Sequence, residues 1–241
     1  MMTDKMDLHT HTIASGHAYN TRNEMIAAAH GKGLEILAIT EHAPAMPESC
    51  QHMYFSNYRV LPRRYKDMTV LYGVELNILD YAGHVDLPDG ILKDMDITLA
   101  SIHPPCYVSG TVEENTSAYL GAMKNPYINI IAHPDDSRFP IDYETLVKAA
   151  KEYHVLLEVN NTSLSPLSFR QGARENYRKM LDLCMKYQVP IIVDSDAHVD
   201  AQVGEHKFAL EVLEEIGFSE QLVLNTDSEA IYDYINYTAR S

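Results

Sequence analysis

Cysteine is scarce in this chain, and the three present (Cys50, Cys106 and Cys184) form no Cys-x-x-Cys pair. An odd number of scattered cysteines excludes a disulfide framework as the organising principle and suits free thiols in a reducing compartment. Basic residues are also in short supply: 19 Lys and Arg stand against 34 Asp and Glu, a net charge of -15. That balance argues against a nucleic-acid partner, because phosphate backbones are bound through clustered Lys and Arg. An acidic protein can still accept a compact anion if bound cations invert the local field. No apolar run approaches the roughly 18 residues of a membrane span, and Met-Met-Thr-Asp-Lys-Met lacks a signal-peptide core. The expectation is a cytoplasmic protein without membrane contact. Linkers, repeats and low-complexity segments are absent too, so residues 1–241 read as one domain.

Hydrophobic residues make up 46% of the 241 positions and charged residues 22%, enough for a substantial globular core. Short apolar runs alternate with helical patterns. Met6–His9, Leu34–Thr40, Val70–Glu75, Asp96–His103, Ile128–His133, Val155–Asn160 and Val189–Asp194 read as strands. Helices are expected near Arg22–His30, Glu113–Lys124, Tyr143–Tyr153, Ala173–Tyr187, Val203–Ile216 and Ser228–Tyr237, and Ala43–Ser56 reads as a long loop over a site. Continuous apolar strands separated by helices imply a parallel sheet buried on both faces. An open doubly wound sheet concentrates its site at one switch point. Here nearly every strand ends in a residue able to bind a metal, which is the pattern of a closed barrel whose strand ends converge on one mouth. No eighth strand stands out, so the fold expected is a distorted (β/α)7 TIM-like barrel.

Twelve histidines are the compositional outlier. Met6-Asp7-Leu8-His9-Thr10-His11-Thr12 is the stretch around which the rest is arranged, since alternate residues of an extended chain share a face. His9 and His11 can therefore chelate one divalent ion. His17, His42, Glu75, His103, His133, Asp196 and His198 follow, most of them at or just after the end of an apolar run. Nitrogen-rich ligation with few carboxylates suits zinc, manganese or iron better than calcium or magnesium.

The opening DLHTHT-x-A-S-x-H-A-Y, the Thr-Glu-His after the second strand, Gly-Val-Glu, the two strand-end histidines, EVNN and the closing Asp-Ser-Asp-Ala-His resemble the PHP (polymerase and histidinol phosphatase) superfamily. Within it they are most similar to the YcdX-type phosphatases, over about Met6 to Asn225. The resemblance implies a PHP-type metal-dependent phosphoesterase domain with three divalent ions, zinc foremost and Mn2+ or Fe2+ as alternatives. It further implies that His9, His11, Glu75 and Asp196 hold one ion and that His17, His42 and His198 hold a second. Glu75, His103 and His133 would hold the third, with Glu75 bridging. Glu41 departs from the aspartate of many relatives and is expected to support a ligand rather than abolish binding.

The chemistry expected is hydrolysis of small-molecule phosphate monoesters by a hydroxide bridging the metals, with Glu75, Asp196 and His198 at its centre. No P-loop, Gly-x-Ser-x-Gly or cysteine phosphatase signature offers a protein nucleophile. Arg63 and Arg138 are the candidates to grip the phosphate of a small phosphorylated substrate. The competing readings are a histidinol-phosphate phosphatase, an amidohydrolase-like hydrolase, which also opens on His-x-His, and a non-catalytic metal-dependent binding protein. The sequence assigns no oligomeric state.

Overall fold

The computed structural model describes residues 4–237. Its strands are β1 (Met6–Asp7), β2 (Ile36–His42), β3 (Arg64–Tyr65), β4 (Met68–Asn77), β5 (Ile97–Ser101), β6 (Ile130–Ile131), β7 (Leu156–Asn160) and β8 (Ile191–Asp194). Seven of them run parallel in the order β1-β2-β4-β5-β6-β7-β8, and the short β3 pairs antiparallel to β4 outside that path. The two ends of the path meet. Leu8 N–H donates to the Asp194 carboxylate at 2.7 Å, His11 N–H donates to the Ala197 carbonyl at 2.8 Å, and Thr10 bridges Ala197 in parallel. The sheet is thus a seven-stranded barrel distorted at the β1–β8 seam.

Helices α1 (Arg22–Gly31), α2 (His52–Ser56), α3 (Asp89–Leu92), α4 (Val112–Met123), α5 (Tyr143–Tyr153), α6 (Ala173–Tyr187) and α7 (Lys207–Ile216) connect the strands. Thr21 with Glu24 and Thr111 with Glu114 form capping boxes that satisfy the first amides of α1 and α4. Two apolar layers follow from the pleat. Met6, Leu8, Ile36, Ala38, Leu71, Ile97, Leu99 and Ile192 fill the barrel, while Leu37, Ile39, Val70, Tyr72 and Val193 face the helices. Gly73 lies where β4 and β5 crowd together: a Cβ there would sit 2.1 Å from the Ile97 carbonyl oxygen.

Several elements are shorter than their apolar runs. The first strand leaves the ladder after Asp7, and the run ending in His133 forms a ladder only at Ile130–Ile131. The expected helix from Val203 begins at Lys207, because Gly204 takes a left-handed φ of 67° and its N–H donates to Asp7 at 2.7 Å. Ser228–Tyr237 is not a helix. It holds one 310 turn at Ala230–Asp233, and Ile231 and Ile235 join the inner apolar layer. Packing of those two side chains outweighs the local helical pattern. The loop Ala43–Ser56 closes with the short helix α2.

Candidate metal centre

The carboxyl-terminal strand ends and the loops beyond them carry the whole expected set. His42 is the last residue of β2 and Glu75 lies within β4, two residues before its end. His103, His133 and Asp196 each lie two residues beyond the ends of β5, β6 and β8. His133 and Asp196 adopt left-handed backbones (φ 33° and 56°), a conformation that side chains with a Cβ rarely take and that clusters at functional sites. His9 and His11 follow β1 in extended chain, their ring centroids 5.0 Å apart.

Glu75 is wholly buried and ringed by five imidazoles. Its Oε2 lies 2.7 Å from His42 Nδ1, 3.3 Å from His9 Nε2 and 3.5 Å from His11 Nε2. Its Oε1 lies 2.7 Å from His133 Nε2 and 3.1 Å from His103 Nε2. Asp196 Oδ1 is 3.3 Å from His11 Nε2 and 3.6 Å from both His9 Nε2 and His198 Nδ1. The donor atoms fall into four overlapping groups: His9–His11–Asp196, His9–Glu75–His133, His42–Glu75–His103 and His11–His42–His198. His17 is more exposed, and its ring lies 4.9 Å from those of both His42 and His198. Cations fit this arrangement. His9 Nε2, His11 Nε2, His42 Nδ1 and Glu75 Oε2 are buried without a hydrogen-bond partner, and all four point into one small volume.

The far side of three of these rings is tied down, as is usual for metal-binding histidines. His9 Nδ1 donates to Glu158 at 2.6 Å and His103 Nδ1 to the Asn77 side-chain oxygen at 2.7 Å. The Ser15 hydroxyl lies 3.2 Å from His11 Nδ1 and donates to Glu41 at 2.5 Å. Glu41 also accepts from the Thr12 N–H at 3.0 Å and from the Thr12 hydroxyl, so it braces the loop carrying His11. Protonation favours ligation. Burial opposes charge on Glu75, but His103, His42 and His9 hold its carboxyl well below the usual range. Asp196 is held low in the same way by His9, His11, His198 and Arg170. Burial and neighbouring imidazoles push His11 well below its ordinary value and His17 down to about 4. Two carboxylates held low therefore face the rings of His11 and His17, where a proton is disfavoured. His9 moves the other way: burial is overruled by Glu158, Glu75 and Asp196, three anions that draw positive charge to this spot.

The arginines fall differently from the expectation. Arg63 bonds Asp96 at 3.0 Å, the Tyr58 carbonyl at 2.5 Å and the Leu61 carbonyl at 2.8 Å. Asp96 precedes β5, so Arg63 braces the amino-terminal end of the barrel, opposite the site. The motif-free loop in which it lies could have folded to either end. Arg138 is engaged by Asp136 through its Nε at 3.0 Å and lies at the rim, its guanidinium over Phe169. The arginine beside the cluster is Arg170, which sequence reasoning missed. Its side chain is only 6% exposed, and its Nη1 lies 3.3 Å from Asp196 and 2.9 Å from Ser163. Glu158 was visible only as part of the EVNN motif, without a role. His17 joins none of the donor groups, where His11 stands with His42 and His198 instead, and His30, His52, His84, His154 and His206 stay outside them as well.

A family model described as the PHP domain matches residues 7–216. A protein of Clostridium novyi (strain NT) named a probable phosphatase is 45% identical over 230 residues, covering 95% of this chain and 93% of that one. Among solved structures, the histidinol phosphate phosphatase of Lactococcus lactis, complexed with zinc, L-histidinol and phosphate, superposes with a TM-score of 0.63 at 16% identity. It covers 90% of this chain and 95% of that chain. A chain of an archaeal ribonuclease P solved with mature tRNA superposes at 0.61 with 18% identity, covering 98% and 94%. The last two likenesses concern the fold alone. With the family model spanning residues 7–216 and a relative 45% identical over nearly its full length, the chain belongs to the PHP domain family.

Proposed function

We infer that the protein is a metal-dependent phosphatase that hydrolyses phosphate monoesters of small molecules. The observation that carries this reading is the set of three partnerless buried imidazole nitrogens converging on the equally partnerless Glu75 Oε2 beneath an open mouth. His9, His11, Glu75 and Asp196 would hold one ion, His17, His42 and His198 a second, and Glu75, His103 and His133 a third. Zinc is the leading candidate on ligand type, with manganese or iron as alternatives. Bound ions would supply an ionised water as attacking group and positive charge for the phosphoryl and leaving oxygens. The chain's own part is to hold those donors fixed and to favour the deprotonated form of Glu75, Asp196, His11 and His17. Arg170, rather than Arg63, is the cation placed to meet a phosphoryl oxygen beside Asp196. Cys106, on the loop after β5, is disfavoured as a nucleophile, its thiol held up at about 11 by burial and by Asp86 and Glu75.

Scale separates small esters from polymers. A compact ester meets the -15 surface once, whereas an extended strand meets it along its length, so small esters are favoured. The fold shared with a ribonuclease P chain makes RNA the competing substrate class. The three cysteines are free, which suits the cytoplasm as the proposed compartment, and no helix among the described residues is long and apolar enough to cross a membrane. The test is a metal analysis of the purified protein beside phosphate release from a panel of small esters that includes L-histidinol phosphate. Single-stranded DNA and RNA belong in the same assay at low and moderate salt. Ester turnover that tracks metal content is expected; efficient strand cleavage with weak ester turnover would sink the reading.

A further inference from the structure

The mouth above the donor cluster is a cavity of about 940 Å3 whose walls differ sharply from its floor. His42, His103 and Asp196 form the floor, while Met46, Pro105, Leu167, Phe169 and Phe208 form an apolar wall. Leu167 is 95% exposed and Phe169 63% exposed, both on the loop between β7 and α6. Large apolar side chains that gain nothing from the core are costly to leave in water, and side by side at a cavity they mark a binding surface. Phe169 is fixed in place. The guanidiniums of Arg138 and Arg170 each lie 5.4 Å from its ring centroid, and Arg170 in turn touches Asp196 on the floor. One side chain thus joins the wall to the donor cluster. The rest of the lining is polar: Asn161, Thr162, Ser165 and Gln202 border the cavity, Glu205 is paired with Lys32 at 2.8 Å, and Lys207 lies beside Phe208.

We propose that this wall seats the leaving group, and that the preferred substrates are phosphate esters of alcohols bearing a planar apolar ring rather than of polyols or sugars. The proposal rests on the phosphatase reading above. A sugar seated on the side chains of Met46, Pro105, Leu167 and Phe169 would set its hydroxyls against apolar surface on that side and find hydrogen-bonding partners only among the polar residues of the remaining lining. A flat ring, by contrast, can lie against Phe169 and Phe208 and shed its water there. Burying one ring face in this way is worth about tenfold or more in affinity.

The experiment titrates phenylphosphonate and methylphosphonate into the zinc-loaded protein by calorimetry, and compares benzyl phosphate with glycerol phosphate as substrates. Leu167→Ser and Phe208→Ala remove the wall, and Val108→Ser, exposed on a different surface, is the control. Phenylphosphonate is expected to bind at least about tenfold more tightly than methylphosphonate, and the wall variants should lower that ratio about tenfold. The same variants should raise KM for benzyl phosphate more than they lower kcat, and Val108→Ser should keep the ratio. Equal affinities, or a ratio that Leu167→Ser and Phe208→Ala leave unchanged, overturns the ring wall while ester hydrolysis still stands. Full metal content with no phosphate released from any ester overturns the phosphatase reading, and the wall with it.

Discussion

Glu75 stands between five imidazoles with its two oxygens divided among them, three on one side and two on the other. Removing it strips donors from more than one position at once and leaves bound cations unshielded from each other. Glu75→Ala should therefore lose more activity than any single-histidine variant, on the order of a thousandfold against ten- to a hundredfold. Metal content and phosphate release, measured together, check this; retention of both would end the bridging assignment. Glu158 acts at one remove. Glu158→Gln keeps its shape but weakens the 2.6 Å bond that orients His9, so metal affinity should fall about ten- to a hundredfold with the fold intact. Competition with a chelator of known affinity reads that loss directly. Most of the candidate donors were legible in the sequence because they sit at a fixed point, at or just after the end of an apolar run. Arg170 was not, because it reaches Asp196 from a loop of Pro, Ser and Phe whose path no periodicity describes.

Strand length was the least legible property. Ile128–His133 is buried throughout and mostly apolar, yet only Ile130–Ile131 pair on the ladder. Burial on both faces sets the apolar run, while hydrogen-bond pairing sets the strand, and near the mouth the two part company as His133 turns into a left-handed backbone. The His9–His11 pair makes the same point. Met6 and Leu8 fill the barrel, so strict alternation would turn His9 away from it; the chain reaches the site because it leaves the ladder after Asp7. Gly73 lies in the longest strand of the barrel, two residues from Glu75, where β5 comes closest. Gly73→Ala places a methyl 2.1 Å from the Ile97 carbonyl, and the two strands must separate to admit it. A cost of about 2–4 kcal/mol is expected, with a loss of metal affinity because Glu75 moves with β4. Denaturant melts of the apo and loaded variant separate the two effects, and a melt equal to wild type would show that the strands yield freely.

The seam where the barrel closes is an ionic one. His206 is buried between Asp4 and Asp7, pairing with Asp4 through Nδ1 and lying 3.8 Å from Asp7 through Nε2. Burial alone would lower its pKa, but the bonds and charges of the two aspartates raise it to about 10 from an ordinary 6.5. The folded state thus binds a proton that the unfolded state releases first. This contribution is fully present below pH 6.5 and is lost as pH rises through about 10. Wild-type stability should fall more steeply between pH 7 and 10 than that of His206→Gln, as read from denaturant midpoints. Parallel curves would mean that His206 is uncharged in the fold.

His9 and Asp196 come from opposite ends of the chain, yet their donor atoms lie 3.6 Å apart. No fragment that stops short of β8 contains a complete His9–His11–Asp196 or His11–His42–His198 group, so filling these two groups and closing the ring are one event in time. During refolding, loops that span most of the chain must close before any ion gains its full affinity. Zinc supplied from the start should then leave the early phases of refolding unchanged and act on the last, by slowing reopening. A metal-sensitive dye followed beside tyrosine fluorescence would time the two signals; zinc captured ahead of the slowest fluorescence phase would show the centre assembling before the ring is complete.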